Sequence, residues 1–164
     1  MAMATRPEPP AQPRSGGAGA TAMGRERAFG LIVGAILVVL GLAGSLGTPL
    51  VGGPDDTGLL VTGPGHDIAH LILGALYLHV ALALDGRLRA DGLLVLGTTV
   101  LATGILSLVS PDLFGLYGAA TGIVDQLMHL VVGVFSIGFG FVARSAVLAQ
   151  ERRVGSQARA PRRR

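Results

Sequence analysis

Ala28-Phe29-Gly30-Leu31-Ile32-Val33-Gly34-Ala35-Ile36-Leu37-Val38-Val39-Leu40-Gly41-Leu42-Ala43-Gly44-Ser45-Leu46 holds no charged residue at all. A helix that crosses roughly 30 Å of hydrocarbon needs ~20 mainly apolar residues, with a range of ~17–25. This run satisfies that length, and three more follow it. Residues 68–84 are apolar apart from His70 and His79, residues 93–109 hold no charge, and residues 123–143 are interrupted by Asp125 and His129. The expected fold is therefore all-α, a bundle of transmembrane helices spanning residues 28–46, 68–84, 93–109 and 123–143 in a membrane domain of residues 25–149. The first run exceeds the roughly 7–15 apolar residues of a signal-peptide core, and Ala43-Gly44-Ser45 is a poor cleavage site, so it reads as a retained helix.

The rest of the composition agrees with a membrane chain. Only 14% of the 164 residues are charged, against about 25% in soluble domains. Residues 1–24 are rich in proline, glycine and alanine and read as a disordered tail; Met23, just before Gly24-Arg25-Glu26-Arg27, offers an alternative start. Residues 150–164 read as a second, arginine-rich tail. There is no cysteine, which excludes disulfides, thiolate catalysis and cysteine-held metals. All 13 basic residues are arginine, which together with the alanine and glycine points to a GC-rich bacterial genome. They form no helix face with interleaved aromatics, so a nucleic-acid partner is not expected.

The arginines do set an orientation. Arg25 and Arg27 precede the first span, Arg87 and Arg89 lie between the second and third, and Arg144, Arg152 and Arg153 follow the fourth. The other two loops contain Asp55, Asp56 and Asp112 and no base. The positive-inside rule then puts both termini and the middle loop in the cytoplasm of a multi-pass plasma-membrane protein, with the acidic loops outside.

The chain also repeats itself. Asp67-Ile68-Ala69-His70-Leu71-Ile72-Leu73-Gly74 in the second span is echoed by Asp125-Gln126-Leu127-Met128-His129-Leu130-Val131-Val132-Gly133 in the fourth. At 100° per residue, His66, His70, Gly74 and Tyr77 share one stripe, and Asp125, His129, Gly133 and Ser136 share the corresponding one. The pattern predicts two tandem, pseudo-repeated helical hairpins in parallel orientation, related by an axis along the membrane normal. Gly30 and Gly34 form a GxxxG in the first span. With Gly74 and Gly133, they are candidates for close helix packing, which in lipid is driven by fit between small residues.

The arginine before the first span, its glycines, the Asp-x-x-His-Leu-x-x-Gly of the second span and the Asp-x-x-x-His-Leu of the fourth resemble an uncharacterised prokaryotic membrane family. It is catalogued as domain of unknown function 4383, and the match covers residues 27–144. The resemblance implies membrane location and four spans, and supplies no activity or site residues.

Ionisable residues inside spans are rare and face protein or water. His70 and His129 are read either as an interhelical hydrogen bond or as a cofactor site. With His66 and Asp125 they would make a metal set of three imidazoles and a carboxylate. Alone, His70 and His129 would suit the axial positions of a b-type haem. Asp67 and Asp125 also sit where a helix dipole favours a carboxylate, and Asp91 is placed to cap the third helix. His79 lies off the stripe and is expected at a neighbouring helix or the inner interface. The leading reading is a structural or accessory membrane protein and not an enzyme. Its rivals are a cofactor-binding redox protein and a small transporter. The partners are the lipid bilayer and, as an open alternative, further copies of the chain. Reporter fusions at Pro54 and Leu113 are expected to read as external and one at Gly86 as cytoplasmic; an external signal at Gly86 reverses the orientation.

Overall fold

The computed structural model describes residues 19–48, 51–52, 60–61, 63–117 and 121–159. Most of the amino-terminal tail, much of the first acidic loop and residues 160–164 lie outside these described residues. Helix α1 runs Gly19–Ser45, α2 Pro64–Ala83, α3 Gly86–Val109 and α4 Ile123–Arg159. Strands β1 (Val51–Gly52) and β2 (Leu60–Val61) form a minute parallel ladder in the first loop. All four helices are long and apolar enough to cross a membrane.

The helices outrun the apolar blocks for local reasons. Gly63 is the N-cap of α2 and Pro64 its first residue, where a missing N–H costs nothing. Only Leu84 and Asp85 separate α2 from α3, so the two helices must be antiparallel neighbours. Asp85 takes the N-cap position and its carboxylate accepts from Arg89 at 2.6 Å. Asp91, expected as a cap, instead lies inside α3 and pairs with Arg144 at 3.2 Å and Arg87 at 3.6 Å. Beyond residue 143, α4 meets mostly good helix formers, and its helix continues to Arg159.

Two hairpins result. α1 packs along α2 and α3 along α4, with lighter contacts of α2 on α3 and α1 on α4. Glycine lets the backbones meet. A Cβ on Gly34 would come 2.8 Å from Leu78 and 3.0 Å from the Gly74 carbonyl, and one on Gly74 2.7 Å from Val38. One on Gly133 would reach 2.6 Å from the Leu101 nitrogen, and one on Gly30 3.1 Å from Ala81. Gly97 and Gly104 of α3 face Ser136 and His129 in the same manner. Outward, Ile32, Ile36, Val39, Ile72, Leu76, Val95, Ile105 and Phe135 are exposed. That apolar coat suits lipid as its solvent, because acyl chains take the place of a packed partner.

The two hairpins are related by a pseudo-two-fold axis that can be read from the contacts themselves. Residues beside such an axis must touch their own symmetry mates. Tyr77 hydrogen-bonds Ser136 at 2.7 Å across a separation of 59 positions. The same offset pairs His70 with His129 and His66 with Asp125, and both of these pairs are also in contact. In α1 and α3, Val33 and Leu37 correspond to Leu96 and Val100, and all of them belong to one core cluster with Tyr77, Val80 and Leu93. Glu26 corresponds to Arg89, and the two buried side chains approach to 4.0 Å. Serine and threonine hydroxyls are returned to their own helices, Thr98 to the Leu94 carbonyl and Thr99 to that of Val95. Lipid-exposed hydroxyls are satisfied internally in this way.

Glycine at the contacts has a direct test. Gly133→Leu forces a side chain into the α3 backbone and is expected to lower stability by about 1–3 kcal/mol or to prevent assembly. Gly138→Leu, on the same helix with nothing within 4 Å of its Cβ position, is expected to leave stability unchanged. Thermal unfolding in detergent distinguishes the two; equal effects would refute close packing at Gly133.

Candidate metal centre

The site forms at the end of the bundle that carries the two long loops. α2 contributes His66 and His70 from its first turns and α4 contributes Asp125 and His129, each pair spaced i,i+4 on one helix face. α2 and α4 stand diagonally across the axis, so their inward stripes face each other. All four side chains are buried, with His66 at 0% and His70 at 1% exposure. One ligand atom from each lies within 4.8 Å of all the others.

Asp125 is the hub. One carboxylate oxygen is 3.3 Å from His66 Nε2 and 3.3 Å from His129 Nδ1, and the other is 3.8 Å from His70 Nε2. Donors bound tetrahedrally at about 2.0–2.1 Å from one ion stand about 3.3 Å apart, which is the separation of His66 Nε2 from the Asp125 carboxylate, with His70 Nε2 farther off at 3.8 Å. His129 Nδ1 lies 2.9 Å from the Asp125 carbonyl oxygen; donation to it leaves Nε2 with the free lone pair, the usual arrangement for a ligating histidine. Both ring nitrogens of His66 and of His70 lack a hydrogen-bond partner, as does one oxygen of Asp125. Buried polar atoms are normally satisfied, and leaving them bare costs about 1–3 kcal/mol each. A cation held by one nitrogen of each ring and by the carboxylate removes part of that cost.

The residues fit a bare ion better than a haem. The His70 and His129 rings are 5.7 Å apart and nearly parallel at 15°. A porphyrin between them must extend well beyond both rings. That space is taken by the His66 ring, 4.2 Å from His70 and 5.4 Å from His129, and by Asp125. Toward the bundle centre lies a small apolar pocket where His70 and His129 border Leu37, Leu73, Val100 and Val132. On the loop side Tyr117 forms a roof, its ring 4.5 Å from that of His66. Burial pushes the Tyr117 phenol up to about 12, with the Asp125 carboxylate adding to the rise. The roof is therefore neutral.

No family model matches the chain, and no curated protein or solved structure matches it.

The tertiary structure separates residues that the repeated motif had put together. Asp67 and Asp125 each open a motif, yet the 59-residue offset shown by Tyr77 and Ser136 pairs Asp67 with Gln126 and Asp125 with His66. Asp67 turns toward α1 and its carboxylate lies over Gly44, where no Cβ would fit. Gln126 bonds the Thr121 carbonyl. His79 is exposed on α2 and takes no part in the site. The sequence reading missed Tyr117, which lies in a loop without periodicity. It also missed Gly104, whose absent side chain admits the His129 Cβ, 3.0 Å from where its own Cβ would stand.

Proposed function

We propose that this protein holds a divalent transition-metal cation inside a four-helix membrane bundle, with His66, His70, Asp125 and His129 as ligands. The observation that carries the reading is the convergence of these four buried groups from two facing helices, with the ring nitrogens of His66 and His70 making no hydrogen bond. Four protein ligands close the coordination sphere, as in structural zinc sites. The bound ion would supply positive charge that ties α2 to α4 across the axis, and the residues would exchange protons for it on loading.

The arginine distribution supports placing both termini in the cytoplasm, and hence the centre near the outer face of the plasma membrane of a bacterial cell. The resemblance to domain of unknown function 4383 implies membrane location and four spans. A transporter finds less support: Thr98 and Thr99 face outward, and below the centre the axis is lined by the apolar Leu73, Val132, Val100 and Leu37.

Elemental analysis of detergent-purified protein is expected to find about one zinc-like cation per chain. Either His129→Ala or Asp125→Ala should abolish it, and acidification should release it, since protons compete for imidazole and carboxylate. Metal-free wild-type protein, in which His70→Ala still lowers thermal stability, would replace the centre with a purely structural polar clasp of the kind set out above.

A further inference from the structure

The loop that roofs the site has a second face. α3 ends at Val109, and the segment Ser110–Tyr117 follows at once, so it starts at the depth where a span leaves the hydrocarbon. It is tightly knit. Ser110 Oγ donates to Asp112 at 2.7 Å and accepts from the Phe114 amide at 2.9 Å, while the Tyr117 amide donates to the Asp112 carbonyl at 3.0 Å. Thr121 closes it from beyond, bonding the Pro111 carbonyl through both its amide and its hydroxyl.

Within this frame the backbone takes a costly path. Leu113 and Phe114 have φ of 49° and 58°, ahead of Gly115 at 84°, a region that side-chain-bearing residues rarely occupy. Strain of this kind persists where the surroundings impose it, and clusters at functional segments. Its effect here is to divide the side chains. Phe114 and Leu116 point outward with 74% and 70% exposure, whereas Tyr117 turns inward at 4% and lies on His66. The Leu116 carbonyl rests against Gly65, the neighbour of His66, where a Cβ would collide. An apolar residue pair held out from a loop at the edge of a span is in position to enter the interfacial layer, where amphipathic and aromatic groups gather.

We propose that Ser110–Tyr117 is a bilayer-seated lid: Phe114 and Leu116 insert at the boundary of headgroups and acyl chains, and that seating holds Tyr117 closed over the histidine site. The occupant of this face is lipid, because it continues directly from the lipid-facing surface of α3, where Leu108 and Val109 are exposed. The bilayer thereby controls access to the centre. The role as a lid rests on the cation reading, whereas the seating and the closure over His66 do not.

The chain contains no tryptophan, so Phe114→Trp places a single tryptophan on the lid, which is excited selectively beyond the absorption of Tyr77 and Tyr117. In phosphatidylcholine liposomes its emission is expected to be blue-shifted and quenched by lipid brominated near the headgroup. Water-like emission, or a blue shift that brominated lipid leaves unquenched, as a protein partner would produce, overturns the seating. The closure is read without any metal, by mass spectrometry of His66 after diethyl pyrocarbonate treatment in the same liposomes, with exposed His79 as reference. Wild-type protein and Tyr117→Phe should react slowly. Phe114→Ser, which touches no site residue, and Tyr117→Ala should each raise the rate about tenfold, as expected when a closed segment opens locally. An unchanged rate in Phe114→Ser overturns the coupling even if Tyr117→Ala is fast. Absence of metal from wild-type protein, in contrast, removes the centre while leaving seating and closure measured.

Discussion

Inside a bundle whose outer surface is lipid, a polar side chain has only its neighbours to satisfy it, and that constraint organises this protein. Water is absent from the hydrocarbon layer, so every buried donor and acceptor must be answered within the protein. Here one set of these groups is gathered on a line, the pseudo-two-fold axis between α2 and α4. Tyr77 meets Ser136 there, and the histidines meet Asp125. The helices can bring these stripes together because glycines at the α1–α2 and α3–α4 contacts let each hairpin close tightly. Close packing thus precedes the site and positions it.

The tandem repeat also explains why the axis carries unlike partners. In a dimer of identical hairpins, a residue beside the axis faces its own copy, so acids would face acids and bases would face bases. Two hairpins in one chain are free to differ. His66 faces Asp125, and at the opposite end Glu26 approaches Arg89. A buried charge is tolerable when it is paired and costly when it is alone. Divergence of the two halves therefore avoids like-charge repulsion at the axis and sets an ion pair, Glu26 with Arg89, at one end of the bundle, while the apolar pairs Val33 with Leu96 and Leu37 with Val100 retain the symmetry.

The two ends nevertheless do different work. At the α2–α3 turn the charges are matched as ion pairs: Arg89 with Asp85 and Glu26, and Arg144 with Asp91. At the loop end the imidazoles outnumber the carboxylate, and ring nitrogens of His66 and His70 make no hydrogen bond. That surplus of ring nitrogens without hydrogen bonds is what the proposed cation site rests on. A roof formed by Tyr117 and a floor of aliphatic side chains keep water from supplying the missing partners, which strengthens the case for a cation in that place.

Membrane location, the four spans and the tandem hairpins were legible in the sequence, because each follows from apolar length and from a repeat that needs no tertiary information. The paired stripes were legible too, since helical periodicity alone places His66, His70, Asp125 and His129 on facing surfaces. Periodicity also singled out Asp125 as the aspartate that joins the histidines, although it could not show the contact itself. Asp67 and Asp125 open similar motifs, and a one-residue difference in spacing to the following histidine turns them 100° apart on their helices. It could not find Tyr117, because a loop residue reaches a site through turn geometry and backbone hydrogen bonds that have no regular period. The helix ends likewise depended on the two-residue link at Leu84 and Asp85 and on the continued helix beyond residue 143. Sequence determined which elements exist and which faces are polar, since those are properties of single helices. Which polar groups meet, and what lies over them, was decided only when the helices packed, since contact depends on the distance and rotation between elements.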